Sequence, residues 1–304
     1  MTDKTKSYLL AGLAVFFWST IATAFKIALS ELSPGQLLFI ASCTAVIVLT
    51  VISISEGKFS IILKTSPSGI LMSALLGLLN PFIYYLVLLK AYTLLPAQVA
   101  QPLNMIWPIV LVFLSVPMLK QKIPARSFIA LFISFAGVYL VSSQGQPFSP
   151  GRSDWLGVTL AAGSSIFWAL YFILNLKDKR YESHKLLLNF FISTIYIAIY
   201  LAFTGGFGEL SLKGLLAGVY TGIFEMGLTF FLWLKALRLA ETSDKISNLV
   251  FLAPFLSLVF ISIFLGEHIY YTTFAGLLLI IGGIAYQRTG KKSPVRDSAA
   301  GINN

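Results

Sequence analysis

GILMSALLGLLNPFIYYLVLLKAY, residues 69–92, and GLLAGVYTGIFEMGLTFFLWLKAL, residues 214–237, are the two stretches whose comparison decides the fold. At an offset of 145 residues, Gly69, Ser73 and Gly77 fall on Gly214, Gly218 and Gly222. The same offset carries Asn80 to Glu225, Lys90 to Lys235 and Ala91 to Ala236. At an offset of 146, Pro108 falls on Pro254, Ala130 on Gly276 and Gly137 on Gly283, and at 150 Trp18 falls on Trp168. A composition this biased supplies two or three such matches by chance. It does not supply the same ladder of small residues, the same mid-segment polar position and the same Lys-Ala pair in register. The chain reads as two copies of one unit.

Each copy is built for lipid. Of 304 residues 57% are hydrophobic and 11% charged, where a soluble domain carries about 25% charged residues. A membrane span needs about 20 mainly apolar residues to cross about 30 Å of hydrocarbon. Ten segments qualify: 6–29, 34–55, 69–92, 97–118, 125–143, 155–176, 184–204, 212–237, 243–264 and 270–287. The first is too long for a signal peptide and is read as a span. Five spans per unit is an odd number, so the second unit enters the membrane from the opposite face. The predicted fold is an all-α membrane protein of ten transmembrane helices in two inverted five-helix repeats, 6–143 and 155–287, followed by a polar cytoplasmic tail, 288–304.

The net charge of +10 invites a nucleic-acid reading, but the basic residues sit in clusters between apolar runs and not along one face. Alternating the loops with the N-terminus inside puts 18 of the 22 Lys and Arg on the cytoplasmic side and 4 outside. That excess is the positive-inside pattern and predicts N-in, C-in topology. The one cysteine, Cys43, lies within an apolar run, and His184 and His268 lie at the ends of separate runs. Neither a disulfide, a metal site nor a cofactor is expected.

Glu225 is the only acidic residue in the middle of a predicted span; Asp244 lies at the start of the ninth. An ionised side chain there costs at least a few kcal/mol, and burial favours its neutral form. A protonatable carboxyl at midspan suits proton coupling or capture of a cationic group; it equally suits a hydrogen bond that merely holds the bundle together. Its repeat mate Asn80 does not titrate, so the symmetry is broken at the position where coupling would act. Gln101, Asn104 and Pro108 share one face of the fourth span, Trp168, Tyr171 and Asn175 one face of the sixth, and Asn80 and Tyr84 are an i, i+4 pair. Amides and aromatics on inward faces line cavities for small organic molecules. The expected lining is Trp18, Asn80, Tyr84, Gln101, Asn104, Trp107, Trp168, Tyr171, Glu225 and Asn248. Trp155, Trp233, Tyr270 and Tyr271, near span ends, suit an interfacial belt. Lys26, two turns after Trp18, is expected at the outer mouth of the cavity. Prolines in 97–118 and 243–264 mark those spans for bending.

These features resemble the drug/metabolite transporter superfamily, in particular its ten-helix EamA-like permeases. Phe17-Trp18-Ser19 through Phe25-Lys26-Ile27 is similar to that family's opening, with Ser19 where Gly is usual. Ile166-Phe167-Trp168-Ala169-Leu170-Tyr171 is similar to the opening of the second repeat, and Leu265-Gly266-Glu267 with Gly276 and Gly282-Gly283 to its close. The first repeat departs from the pattern with Lys120-Gln121-Lys122, and Ala41 and Ser42 stand in the region where an Arg is often found. The resemblance implies a secondary-active permease of a bacterial-type cytoplasmic membrane, working by alternating access. Its implied cargo is a small, amino-acid-like metabolite, its implied direction export, and its implied form a monomer or homodimer in contact with lipid. A proton is the candidate coupling ion, with Glu225 as its carrier. The alternative is an exchanger or importer of a nucleotide-like or vitamin-like solute. An intramembrane enzyme fits less well, since His184 and Asp244 lie at span ends and no His or Asp stands at midspan to pair with Glu225. A channel fits less well too, for want of a continuous polar lining.

Overall fold

The computed structural model describes residues 2–57, 59–62, 64–119, 125–148, 153–206, 208–240 and 249–288. They form helices α1 (Asp3–Leu29), α2 (Pro34–Ser55), α3 (Pro67–Gly77), α4 (Tyr84–Leu94), α5 (Ala97–Asn104), α6 (Trp107–Leu119) and α7 (Ala125–Ser142). There follow α8 (Trp155–Lys177), α9 (Glu182–Thr204), α10 (Leu212–Thr221), α11 (Leu228–Leu239), α12 (Ala253–Leu265) and α13 (Tyr271–Arg288). No strand occurs among the described residues. Lipid offers no hydrogen bonds, so an apolar segment closes its backbone on itself as a helix. Eight helical runs are long and apolar enough to cross a membrane, with α3–α4, α5–α6 and α10–α11 each making one run. Two shorter apolar helices, Val250–Leu265 and Tyr271–Gln287, complete the set. The chain is an all-α, multi-pass membrane protein.

Local chemistry sets the helix ends. Ser33 caps α2 through a reciprocal capping box with Gln36, and Pro34 follows it. Ser66, Asp154 and Ser211 accept from the first-turn amides of α3, α8 and α10. Such caps satisfy N–H groups that have no partner inside the helix. The first helix starts at Asp3 and the third run spans Pro67–Leu94, each a few residues beyond the expected bounds.

Interruptions fall at matching places in the two halves. The third run breaks into a π-turn at Leu78–Ile83, and the eighth breaks into one at Gly222–Gly227. The fourth run turns at Met105 and Ile106 before α6 starts at Trp107-Pro108. In the ninth, a 3-10 turn at Val250–Leu252 precedes α12, which starts at Ala253-Pro254. The proline-marked fourth span therefore bends as expected, while the expected ninth span, 243–264, is described only from residue 249.

Helix packing follows the same exchange. Helix α1 packs against α10, α11 and α12, and α8 packs against α4, α5 and α6. Helix α2 pairs with α9, and α7 with α13. Side-chain contacts gather the connections at two ends. At one end Lys213 pairs with Glu31 at 3.1 Å, and the Gly145 amide donates to Thr272 Oγ1 at 2.8 Å. At the other, Arg180 Nη2 donates to Ser73 Oγ at 2.8 Å, Ser183 Oγ donates to Glu56 Oε2 at 2.7 Å, and Thr65 and His184 share a 2.7 Å hydrogen bond.

Two of the crossings that need glycine lie beside the broken turns. A Cβ on Gly77 would lie 2.5 Å from the Asn189 carbonyl oxygen on α9. A Cβ on Gly222 would lie 2.5 Å from the Ala41 carbonyl oxygen on α2. The obstacle in both cases is backbone, which does not rotate aside. Overpacking of this kind costs about 1–3 kcal/mol. We expect Gly77→Ala and Gly222→Ala each to lower the melting temperature of detergent-purified protein. Gly163→Ala, where a Cβ meets nothing within 4 Å, is expected to leave it unchanged; equal effects at all three sites would refute the close-crossing account.

Candidate functional site

The two π-turns carry the paired positions that distinguish the repeats. π-turns inside helices are frequent at functional sites. In the first, Asn80 is extended (φ −148°, ψ 122°) and buried. In the second, Glu225 lies within the bundle and yet keeps accessible surface. Its Oε1 accepts a hydrogen bond of 2.8 Å from the hydroxyl of Tyr85 on α4. A residue of one half thus anchors the carboxyl of the other. Sequence reasoning missed Tyr85; the 145-residue register, which pairs it with Phe230, was the available signal.

From Tyr85 an aromatic chain crosses the bundle. Tyr84 meets Tyr85 with ring centroids 4.7 Å apart and Trp168 at 5.0 Å. Trp168 lies 5.9 Å from Tyr171, 6.1 Å from Phe230 and 6.2 Å from Trp107. Phe230 in turn meets Trp18 at 5.8 Å. Separations of this size are those of favourable aromatic pairs. Trp18, Trp107, Trp168 and Phe230 are only partly buried although rings from other helices surround them. Rings packed on one another that still hold accessible surface are the candidate wall of a site, and they draw on both halves.

A polar strand runs behind the rings. The Tyr84 hydroxyl donates to Asn104 Oδ1 at 3.2 Å, and Asn104 Nδ2 donates to Ser164 Oγ on α8 at 2.8 Å. Asn104 therefore orients Tyr84. Asn80 lies beside the Tyr171 hydroxyl together with Asn189, a residue that sequence reasoning also missed. Asn80 Oδ1 and both amide atoms of Asn189 have no hydrogen-bond partner.

The structure thus gathers Trp18, Tyr84, Asn104, Trp107, Trp168, Tyr171 and Glu225, with Asn80 at the edge through Tyr171. Gln101 is buried with its Oε1 unpartnered and makes no hydrogen bond to the group. Asn248 lies outside the described residues. Trp233 packs on Trp18 at 5.3 Å. Trp155 and Tyr271, by contrast, are 71% and 68% exposed, as lipid-facing belt residues are.

Lys26 Nζ donates to the carbonyls of Tyr92 at 2.9 Å and Leu95 at 3.1 Å, at the C-terminal end of α4. Next to it, Glu267 accepts from the Ala97 amide at 2.8 Å and the Gln98 amide at 3.2 Å, capping α5, which has no cap of its own. The Gln98 side chain returns the contact, donating to the His268 carbonyl at 2.8 Å and accepting from the Tyr270 amide at 3.2 Å. Gly266, at φ +65°, ends α12 and aims Glu267 back across the bundle. The Gly-Glu pair is therefore a clasp between halves; its first-repeat counterpart, residues 120–122, lies outside the described residues.

The sequence profile of the EamA-like transporter family matches this chain twice, over residues 5–143 and 155–287. The chain belongs to the EamA-like transporter family. Among relatives of this EamA-like protein, the uncharacterized transporter YvbV of Bacillus subtilis is 27% identical over 304 residues, covering 99% of this chain and 97% of its own. The uncharacterized transporter YxxF of the same organism is 24% identical, covering 90% and 87%. An uncharacterized transporter of Archaeoglobus fulgidus is 26% identical, covering 95% and 99%. A crystal structure with 18% identity matches 94% of this chain and 97% of that chain at a TM-score of 0.67, a likeness of fold. This EamA-like transporter is an integral, multi-pass protein of the cytoplasmic membrane.

The clasp is directly testable. Glu267→Ala leaves the first amides of α5 uncapped, a loss of about 0.5–2 kcal/mol. We expect a lower melting temperature for Glu267→Ala and a smaller drop for Glu267→Gln, which keeps an acceptor. A Gln variant as unstable as the Ala variant would show that charge, not capping, holds the clasp.

Proposed function

We propose that this EamA-like transporter is a secondary-active carrier, not an enzyme, moving a small organic solute, in the direction of export, by alternating access. The two family matches, the paired π-turns and the interchangeable helix pairings support two five-helix repeats, 6–143 and 155–287. The odd number of helices per repeat and the loop charges support their inversion with both termini inside. Inverted repeats that enclose a midspan site between discontinuous helices are a recurrent construction of secondary transporters.

One observation carries the reading. Glu225, in the broken eighth run, is held by Tyr85 from the broken third run, whose ring begins the chain Tyr84, Trp168, Phe230 and Trp18 drawn from both halves. A solute seated there touches both repeats at once, so their relative motion acts on it. In this reading Glu225 couples the motion to a proton, the aromatic wall packs the body of the solute, and Tyr84, held by Asn104, supplies a polar contact. Breaking the Tyr85–Glu225 bond and re-forming the wall around the other repeat is the elementary step of the cycle.

Purified protein in liposomes tests this. Vesicles preloaded with a pool of unlabelled metabolites are expected to show saturable counterflow of at least one labelled member. Glu225→Gln is expected to abolish the pH dependence of that flux and Trp168→Ala to weaken solute affinity at least tenfold. Flux that rises linearly with solute, or a Gln variant with an unchanged pH profile, would remove the carrier reading or the coupling role respectively.

A further inference from the structure

The π-turn of the third run lies against α9, and that of the eighth lies against α2. Counted from their first residues, Pro34 and Glu182, helices α2 and α9 correspond at an offset of 148, which carries Ala41 to Asn189 and Ala45 to Ser193. The glycine crossings give the same register, since Gly222 meets the Ala41 carbonyl and Gly77 the Asn189 carbonyl. All four side chains are fully buried. Where one seam is filled by methyl groups, its repeat mate holds an amide and a hydroxyl. Those polar groups are unused: both amide atoms of Asn189, Ser193 Oγ and Asn80 Oδ1 have no hydrogen-bond partner. Towards the bundle end the α3–α9 seam stays polar. Arg180 faces Gly69 and donates to Ser73, His184 is bonded to Thr65, and Ser183 donates to Glu56. The α2–α10 seam is aliphatic instead, with Gly214 against Leu32, Gly218 against Ile40 and Gly227 against Val48. Thr221 of the eighth run also lacks a partner, but neither matching position of α2 is polar.

A buried donor or acceptor without a partner raises the free energy of the state that buries it, and water relieves it. In the closed α3–α9 seam four atoms on three side chains share that condition. Parting the seam gives each of them water, and the hydrogen bonds at its end exchange for water one by one. Parting the α2–α10 seam would expose Leu32, Ile40 and Val48 instead. It would relieve nothing on α2 there, where Thr44 is already bonded to the Ile40 carbonyl at 2.8 Å. The two seams are repeat mates, yet water favours opening only one. Beyond the turn, Phe82 packs on Tyr196 at 6.0 Å and on Tyr200 at 6.1 Å, so apolar contact closes the far part of the same seam.

We infer that the α3–α9 seam parts in the working protein, from the Arg180 end as far as Asn80, and takes in water, while the α2–α10 seam stays shut. The two repeats are therefore unequal in motion as well as in sequence. Asn189, Ser193 and Asn80 are the groups that the opened seam presents, and Phe82 with Tyr196 and Tyr200 is its apolar stop. Asn80 and Asn189 lie beside the Tyr171 hydroxyl, and the Tyr171 ring is 5.9 Å from Trp168. The wetted path thus ends at the aromatic chain. The inference rests on packing and not on the carrier reading, and it holds for protein with no solute present.

Thiol labelling of the full-length protein in lipid nanodiscs tests this. Cys43→Ala removes the one cysteine, and Ser193→Cys or Ala45→Cys then places a single thiol at matching positions of the two seams. A thiol reacts as its thiolate, which forms where water reaches it. With the small uncharged reagent hydroxyethyl methanethiosulfonate, Ser193→Cys is expected to label at least tenfold faster than Ala45→Cys. Both positions are fully buried in the closed structure, so a protein that stays closed labels both equally slowly. Adding Asn189→Leu, apolar and of similar size, is expected to slow labelling of Ser193→Cys at least threefold. Melting temperatures show that each variant is folded. Hydrogen exchange on the unmodified protein gives an independent measure, since local opening speeds amide exchange. Residues 182–196 are expected to exchange at least tenfold faster than their repeat mates 34–48. Equal labelling of the two thiols, faster labelling of Ala45→Cys, no effect of Asn189→Leu, or equal exchange of the two segments overturns the inference. Counterflow in protein whose two thiols label alike overturns it and leaves the carrier reading standing. A seam that opens in protein without counterflow upholds it and removes the carrier reading instead.

Discussion

Everything in this structure depends on one demand of the bilayer: each backbone amide and carbonyl must find its partner within the protein. Unbroken helices meet that demand, and most of the chain is helix. At Leu78–Ile83 and Gly222–Gly227 the regular ladder is interrupted, and irregular backbone at membrane depth is tolerated only where protein or a wet cavity surrounds it. The packing supplies that enclosure. Helices α2 and α9 lie against the two turns, so the irregular backbone faces the interior and not lipid. Once enclosed, the turns bring Asn80 and Glu225 to the inside of the bundle with side chains that a regular helix would aim elsewhere.

Charge follows the same economy. Polar groups at the bundle ends are used in pairs: Lys26 on the carbonyls that end α4, Glu267 on the amides that begin α5, Asp178 on Arg180 at 2.6 Å. The first two join segments that the chain alone leaves apart, and all three use a full charge to answer the exposed polar end of a helix or an opposite charge. Glu225 is the exception in having no such answer among the described residues. Inside a membrane that exception is functional by default.

Much of this was legible in the sequence, for physical reasons that can be named. The repeat register carried Trp18 to Trp168 and Asn80 to Glu225, because a duplicated fold preserves the positions at which helices touch. Apolar length marked the spans, because lipid enforces it. What could not be read were contacts made between distant segments. Tyr85 sits beside Tyr84 with no helical pattern to single it out, and its role exists only because the third run meets the eighth. Trp233 was assigned to the interface by its distance from the end of the segment. The π-turn ahead of it adds a residue and turns the following helix face, which brings Trp233 onto Trp18. The Gly266-Glu267 pair was visible as a resemblance; that it caps a helix from the other half follows only from the fold. Gln101 had the right face and found no partner there.

The crossings at Gly77 and Gly222 have a mechanical consequence. Where most helices meet, side chains interlock like teeth, and sliding one past the other requires many of them to change rotamer together. At these two points a helix rests on the backbone carbonyl of its neighbour, Asn189 in one case and Ala41, with the Thr44 side chain beside it, in the other. A contact made largely through backbone holds few side chains that must move together. Set beside the broken turns and each joining one half to the other, these contacts are where a change of helix tilt would disturb the fewest side chains.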